Sequence, residues 1–293
     1  MNIIKNNNIK WIHIVEPKEE DIEWLKKEFA VHPIIIKEIE KPSVKAQIEI
    51  FDKSLFFVSY SPFYEQKDEY STKLEIDFII TKNTVITIQY EKLKNIFDGF
   101  EMKNVSSTLE LTCDIIEHIT TFEERQLRHI REKIEFVGKE LFNNKEEEIF
   151  KKLMHLKRDV SEYRIIVRFQ EPALKLLASK GKKFWGDDSQ IYLENLIENH
   201  KNIISQLEDC REAISDFEYT NNQLMNMKVN KTMKTLTALS FMTFPFMLIA
   251  SIFAMRTIDT PIVNEQGGFW IIISFIIVGM IIIGVYFKNK RWF

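Results

Sequence analysis

"LTALSFMTFPFMLIASIFAM", residues 236–255, contains no charged side chain, and the arginine at 256 that follows it opens a polar segment. About 20 apolar residues are what a helix needs to cross bilayer hydrocarbon at 1.5 Å per residue. A second uncharged run, Phe269–Phe287, comes after a short connection. One such run would suit a buried core helix; two placed back to back near the C-terminus read as a pair of membrane spans. The rest of the sequence differs sharply. Lys, Glu and Asp punctuate residues 1–230, and 28% of the 293 residues are charged, so most of the chain faces water.

Flanking charge sets the expected orientation. Lys228, Lys231 and Lys234 precede the first span, and Lys288, Lys290 and Arg291 follow the second, whereas the connection carries Asp259 and Glu265 against Arg256. Positive charge resists translocation, which predicts a multi-pass protein of the plasma (inner) membrane with both termini cytosolic. The leading "MNIIKNNNIKW" has no apolar core of signal-peptide length, consistent with a cytosolic N-terminal part. A net charge of −3 gives no electrostatic footprint for nucleic acid. Two cysteines, Cys113 and Cys210, far apart in polar helical stretches, fit a reducing compartment.

The water-facing part divides by period. From Trp11 to about Tyr90, β-rich runs recur ("WIHIV", "QIEIF", "SLFFVSY", "EIDFIIT", "TVITIQY"), with a helical pattern in "EEDIEWLKKEFA", giving an α/β domain over 1–105. "ITKNTVITI" predicts a hairpin turning at Lys82 and Asn83. From Ser107 three long helices are expected, with breaks near Asn143–Asn144 and within "SKGKKFWGDDSQ". Two fill 106–187. The third starts at 188 and meets no proline before Pro245, so a stalk helix over 188–235 should continue into the first span, 236–256. An outer loop, 257–268, the second span, 269–287, and a basic tail, 288–293, complete an α+β membrane protein. Two spans cannot enclose a pore, so conduction requires an oligomer.

On the first span Asn230, Met233, Thr237, Ser240, Phe244, Met247, Ser251 and Met255 recur every three or four residues and share one face. Thr237 and Ser240 offer oxygens to a hydrated ion, and Met233, Leu236 and Phe244 could close a narrow tube by excluding water. Ser and Thr at this spacing also serve as packing contacts between spans. Pro245 predicts a bend.

Enzyme signatures are missing from the sequence. "GKKFWGDDS" lacks the ending of a phosphate loop, and the six histidines show no metal-ligand spacing. "HLKRD", residues 155–159, reads as a solvated helix face. No organic cofactor is expected.

"NKTMKTLTALSFMTFPFMLIASIFAMR", followed by a short loop, a second span and the terminal "YFKNKRWF", resembles the membrane domain of the CorA family of magnesium and divalent-cation channels. The likeness runs through Asn230, Met233, Lys234, Leu236, Thr237, Pro245, Ala250, Met255, Pro261 and Gly268. Upstream, "WIHIVEPKEEDIEWLKKEF", "HPIIIKEI", "EIDFIITKNTVITIQY" and "LKRDVSEYRIIVRFQEPALKLL" are similar to the family's cytosolic part. The resemblance implies a funnel-shaped homopentamer in the lipid membrane, with the first span lining the pore, a uniporter driven by membrane potential, and magnesium both as cargo and as regulator.

Two departures stand out. The family ends its first span with Gly-Met-Asn, whose asparagine ring binds the hydration shell of the arriving cation; here Ala254, Met255 and Arg256 stand in those places. A guanidinium offers donors only, while the waters around Mg²⁺ call for acceptors. Five arginines ~8 Å from the ion would each repel a divalent charge by roughly 1 kcal/mol in water. Their sum is comparable to the ~4.6 kcal/mol that 100 mV supplies to such an ion. Arg256 could instead snorkel to headgroups or pair with Asp259. A non-conducting membrane-anchored regulatory or scaffold homologue, or a transporter of altered selectivity, are therefore the alternatives. The second departure is Asn195, where the family's stalk carries a magnesium-binding aspartate. Glu198 is close by, and Asp68 and Glu69 lie in the region that would face a neighbour's stalk.

Overall fold

A computed structural model describes residues 2–290 apart from 7, 30, 44–46, 52, 66–69, 92–95, 144, 256–261 and 263–265. Its residues form two compact units, Met1–Glu218 and Tyr219–Phe293.

The first unit is built on a six-stranded sheet in the order β1-β2-β6-β5-β4-β3. The strands are β1 (Asn2–Asn6), β2 (Ile9–Val15), β3 (Ile48–Phe51), β4 (Ser54–Glu65), β5 (Tyr70–Ile80) and β6 (Thr84–Gln89). Every pairing is antiparallel except β2 with β6, where Trp11 lies beside Val85 and His13 beside Thr87. All six residues of β6 are buried, as a central strand covered on both faces requires. The β5–β6 hairpin turns at Lys82 and Asn83, with the Thr81 N–H donating to the Thr84 carbonyl at 2.9 Å. β1 was not foreseen: "NIIKN" is short, half polar and lies on the edge, where it carries little periodicity.

Alternation puts two apolar layers on the sheet. Ile12, Ile14, Phe56, Val58 and Ile79 pack with Leu25 of α1 (Glu19–Phe29) and Ile35 of α2 (Pro33–Glu38). Trp11, Phe57, Ile76, Phe78 and Val85 face the other way, onto three long helices. These are α3 (Thr108–Glu140), α4 (Glu146–Trp185) and α5 (Ser189–Ala254). Ser107 caps α3 by accepting from the Glu110 N–H, while the Glu110 carboxylate accepts from the Ser106 N–H at 2.7 Å, so the first turn's donors are satisfied from both sides. α4 continues through "SKGKKFW" and stops only at Gly186, whose φ of 99° suits a residue without Cβ. Gly138 of α3 and Phe217 of α5 touch so closely that a Cβ at 138 would meet the ring at 2.6 Å. Arg164 of α4 pairs with Glu208 of α5 at 2.6 Å.

The "HLKRD" segment on α4 only half follows its expectation. Lys157 and Arg158 reach solvent, but Asp159 is buried and held by Arg158 at 3.5 Å. Positions 156, 159 and 160 fall on the inward stripe of the helix, and an acidic side chain there is kept by its cationic neighbour.

The second unit contains the C-terminal part of α5, which runs on through Pro245, and α6 (Gly268–Asn289). Both helices are long and apolar enough to cross a membrane.

Candidate functional site

The uncharged part of α5 has two opposite faces. Thr235, Ala238, Met242, Phe246, Ile249 and Phe253 share one of them and are all at least partly withdrawn from solvent. α6 covers this face and runs antiparallel to it, since Gly279 meets Phe246 and Gly284 meets Met242. Asn230, Met233, Thr237, Ser240, Phe244, Met247 and Ser251 lie about 180° around the helix from that contact. Along this second face Met233, Phe244 and Met247 are 63%, 66% and 61% exposed. Asn230, Thr237 and Ser251 are exposed as well, as are Leu236 at the rim of the face and Met255 just past the helix end, whereas Ser240 is half-buried.

The hydroxyl of Ser240 donates to the Leu236 carbonyl at 3.0 Å. Its hydrogen is thereby used inside the helix, and what it presents outward is its lone pairs, which are acceptors. Acceptors are what the water shell of a hydrated cation binds. Pro245 has no N–H, so the Phe241 carbonyl has no helical donor four residues on. At its C-terminal end Ala254 closes α5, and the Met255 N–H bonds the Ile252 carbonyl. Arg256 and Asp259 lie outside the described residues.

The stalk candidates separate. Asn195 is exposed on α5 and its amide Nδ2 donates to Glu117 Oε1 of α3 at 3.4 Å. Glu198 instead lines an open cleft of about 570 Å³ with Glu194, Lys175 and Lys201. Asp68 and Glu69 lie outside the described residues. Among the described residues no group of three or more His, Cys, Asp or Glu side chains is assembled for a metal.

A family model described as "CorA-like Mg2+ transporter protein" matches residues 6–291. The chain belongs to the CorA family. This CorA chain is 22% identical to the "Cobalt/magnesium transport protein CorA" of Thermotoga maritima, covering 96% of itself and 83% of the relative. It is 24% identical to the Methanocaldococcus jannaschii protein of the same description, covering 96% and 90%. The complete structure of the CorA magnesium transporter from Methanocaldococcus jannaschii superposes with a TM-score of 0.83 at 20% identity, over 99% of this chain and 93% of that one. The fold of this CorA-family chain is thus that of a full-length relative, and α6 with the apolar end of α5 are its transmembrane helices.

Sequence reasoning passed over one polar cluster in this CorA chain. Glu75 and Asp77 project from β5 onto the α1–α2 side of the sheet, both buried. Asp77 Oδ2 accepts from the Tyr90 hydroxyl at 2.6 Å, while Oδ1 is buried without a hydrogen-bond partner. Glu75 Oε1 accepts from the Ser43 N–H at 2.6 Å, and the Tyr60 hydroxyl donates to the Ser43 carbonyl at 2.8 Å. Burial is the main cause that pushes Asp77 up to about 8, with the Glu75 carboxylate adding to it; burial raises Glu75 too. The signal was in "EIDF": two acids on the inward phase of an otherwise apolar strand.

Proposed function

We propose that this chain is the subunit of a homopentameric, channel-type uniporter for magnesium or a similar divalent cation, driven by membrane potential, with both termini cytosolic. The observation that carries this reading is the face of α5 turned away from α6. Apolar side chains as exposed as Met233, Phe244 and Met247 must meet lipid or other copies of the chain. Asn230, Thr237 and Ser240 on that same face gain nothing from lipid, whereas around an axis they would meet water.

In this reading Thr237, Ser240 and Asn230 hold the hydrated ion by accepting from its waters. Met233, Leu236 and Phe244 form the constriction, which closes by expelling water from a narrow apolar tube. Mg²⁺ dehydrates reluctantly, so a path lined by hydroxyls that bind the water shell suits it better than one that strips it. The curated relatives are described as transporting cobalt and magnesium. A regulatory magnesium at Asn195, Glu198, Asp68 and Glu69 would be held weakly: Asn195 brings no charge, and Lys175 and Lys201 stand beside Glu198.

Ala254, Met255 and Arg256 in place of Gly-Met-Asn support a second reading, a homologue of altered selectivity or without conduction. Uptake of Mg²⁺ into liposomes holding the purified protein, under an inside-negative potential, separates the two. The first reading expects uptake by the parent and at least a tenfold rise in Arg256→Asn if the guanidiniums face the axis, since about 1.4 kcal/mol is a factor of ten. A parent that stays silent while Arg256→Asn conducts supports the second.

A further inference from the structure

The exposed lysines of the second unit gather at one end of its two helices. Lys231 falls in line with Ala238 and Ile249, seven and eighteen residues further along α5, which is the face that α6 covers higher up. Lys234 steps about 60° round from it. Lys231 therefore points toward the foot of α6, whereas Lys234 lies on the flank of α5, about 60° from Thr237 as well. α6 brings two more. Its antiparallel register, Gly279 against Phe246 and Gly284 against Met242, carried four residues past Gly284, brings Lys288 level with Ala238 and Lys290 level with Leu236.

Four exposed ammonium groups thus occupy a band about 10 Å deep along the helix axis. The uncharged stretch Phe269–Phe287 ends immediately above it. That stretch is about 28 Å long at 1.5 Å per residue, which matches the bilayer hydrocarbon, so the band falls at headgroup depth. Among the described residues of the second unit, 219–255 and 268–290 contain neither Asp nor Glu. Lys228 continues the same face one turn deeper. Above the band the outer surface of both helices is apolar and exposed, with Ile281, Ile282 and Val285 of α6 between 53% and 64% accessible.

We propose that Lys231, Lys234, Lys288 and Lys290 form a binding site for the phosphate of an anionic phospholipid, whose acyl chains lie along the apolar outer surface of the two helices. Charge complementarity selects the headgroup, and continuity with the lipid-facing surface selects a lipid over a soluble phosphate. The site spans both transmembrane helices, so its occupant ties the foot of α6 to α5. Lys231 lies about 120° round α5 from Thr237 and Lys234 about 60°, so Lys231 is turned off the proposed ion path and Lys234 flanks it. The inference requires the two membrane helices but not conduction.

The test is native mass spectrometry of the full chain in mild detergent, titrated with phosphatidylglycerol or with phosphatidylcholine of the same acyl chains. Phosphatidylglycerol adducts are expected at roughly tenfold lower lipid concentration than phosphatidylcholine adducts. The K231Q/K234Q/K288Q/K290Q variant should lose that preference while its phosphatidylcholine adducts and its subunit count stay as in the parent. A control of equal net charge with four exposed lysines of the first unit replaced, K26Q/K53Q/K82Q/K183Q, should keep the preference. Equal affinity for the two lipids in the parent overturns the proposal, as does a preference that survives the first variant or disappears equally in the control. Transport is not read at all, so a silent channel leaves the outcome intact.

Discussion

Gly279 of α6 rests against the Phe246 ring of α5: a Cβ built at 279 would lie 2.6 Å from Cε1 and 2.7 Å from Cζ. Backbone and ring approach this closely because no side chain intervenes, the usual reason small residues sit where membrane helices cross. Gly279→Leu should therefore force the helices apart or the ring out of its rotamer, at about 1–3 kcal/mol. Melting of the purified protein in detergent should fall by several degrees. Phe246→Ala in the same chain makes room and should recover most of the loss; an unchanged melting point in Gly279→Leu alone would mean the two helices do not touch here.

Asp77 predicts a pH dependence. Its carboxyl titrates at about 8 when folded and near 3.9 in an unfolded chain. The folded state holds the proton more tightly, so the stabilisation is complete below about pH 4, declines as pH rises, and is gone above the folded value. Tyr90, Glu75 and Glu38 are the ionisable groups acting on it, and Lys73 and Tyr60 act on Glu75. Stability should fall between pH 5 and pH 8 with a slope of at most about 1.4 kcal/mol per unit. Asp77→Asn cannot titrate and should flatten that slope in thermal melts at pH 5.5, 7 and 8.5. A slope that persists in the variant would place its origin elsewhere.

Asn195 gives a third test. Its amide meets Glu117 at 3.4 Å, so Asn195→Asp would set two carboxylates face to face. Such a pair repels unless a cation joins it. The variant should melt below the parent in EDTA and regain several degrees with 10 mM Mg²⁺, whereas the parent should respond little. Equal magnesium responses in both would show that Asn195 has no part in binding.

What the sequence revealed and what it hid follow from the physics of each element. The spans were legible because charge-free runs of this length, two in succession, suit bilayer hydrocarbon far better than the core of a water-soluble domain, and α5 because nothing breaks its period between Ser189 and Pro245. The β5–β6 hairpin was legible from the apolar runs on either side of Lys82 and Asn83. β1 was not, since its pairing with Ile9–Val15 leaves no strong alternation in "NIIKN". The hydroxyl face of α5 could be read as a periodicity, but its position opposite α6 depends on Gly279 and Gly284, which no pattern within α5 encodes. Burial of Asp77 and Asp159 escaped notice for a different reason. Charged residues are expected outside, and only a tertiary partner such as Tyr90 or Arg158 makes the exception tolerable.

The central claim is that the Thr237–Met247 face surrounds an axis shared by copies of this chain. Single cysteines placed at Thr237 or Met247, in a chain whose buried Cys113 and Cys210 are replaced by alanine, and oxidised in the membrane, test it most directly. The account predicts disulfide-linked dimers from either position, none from Ile249→Cys or Phe253→Cys on the face that α6 covers, and a native mass of five subunits. Cross-linking from Ile249 and Phe253, with none from Thr237 and Met247, would contradict it.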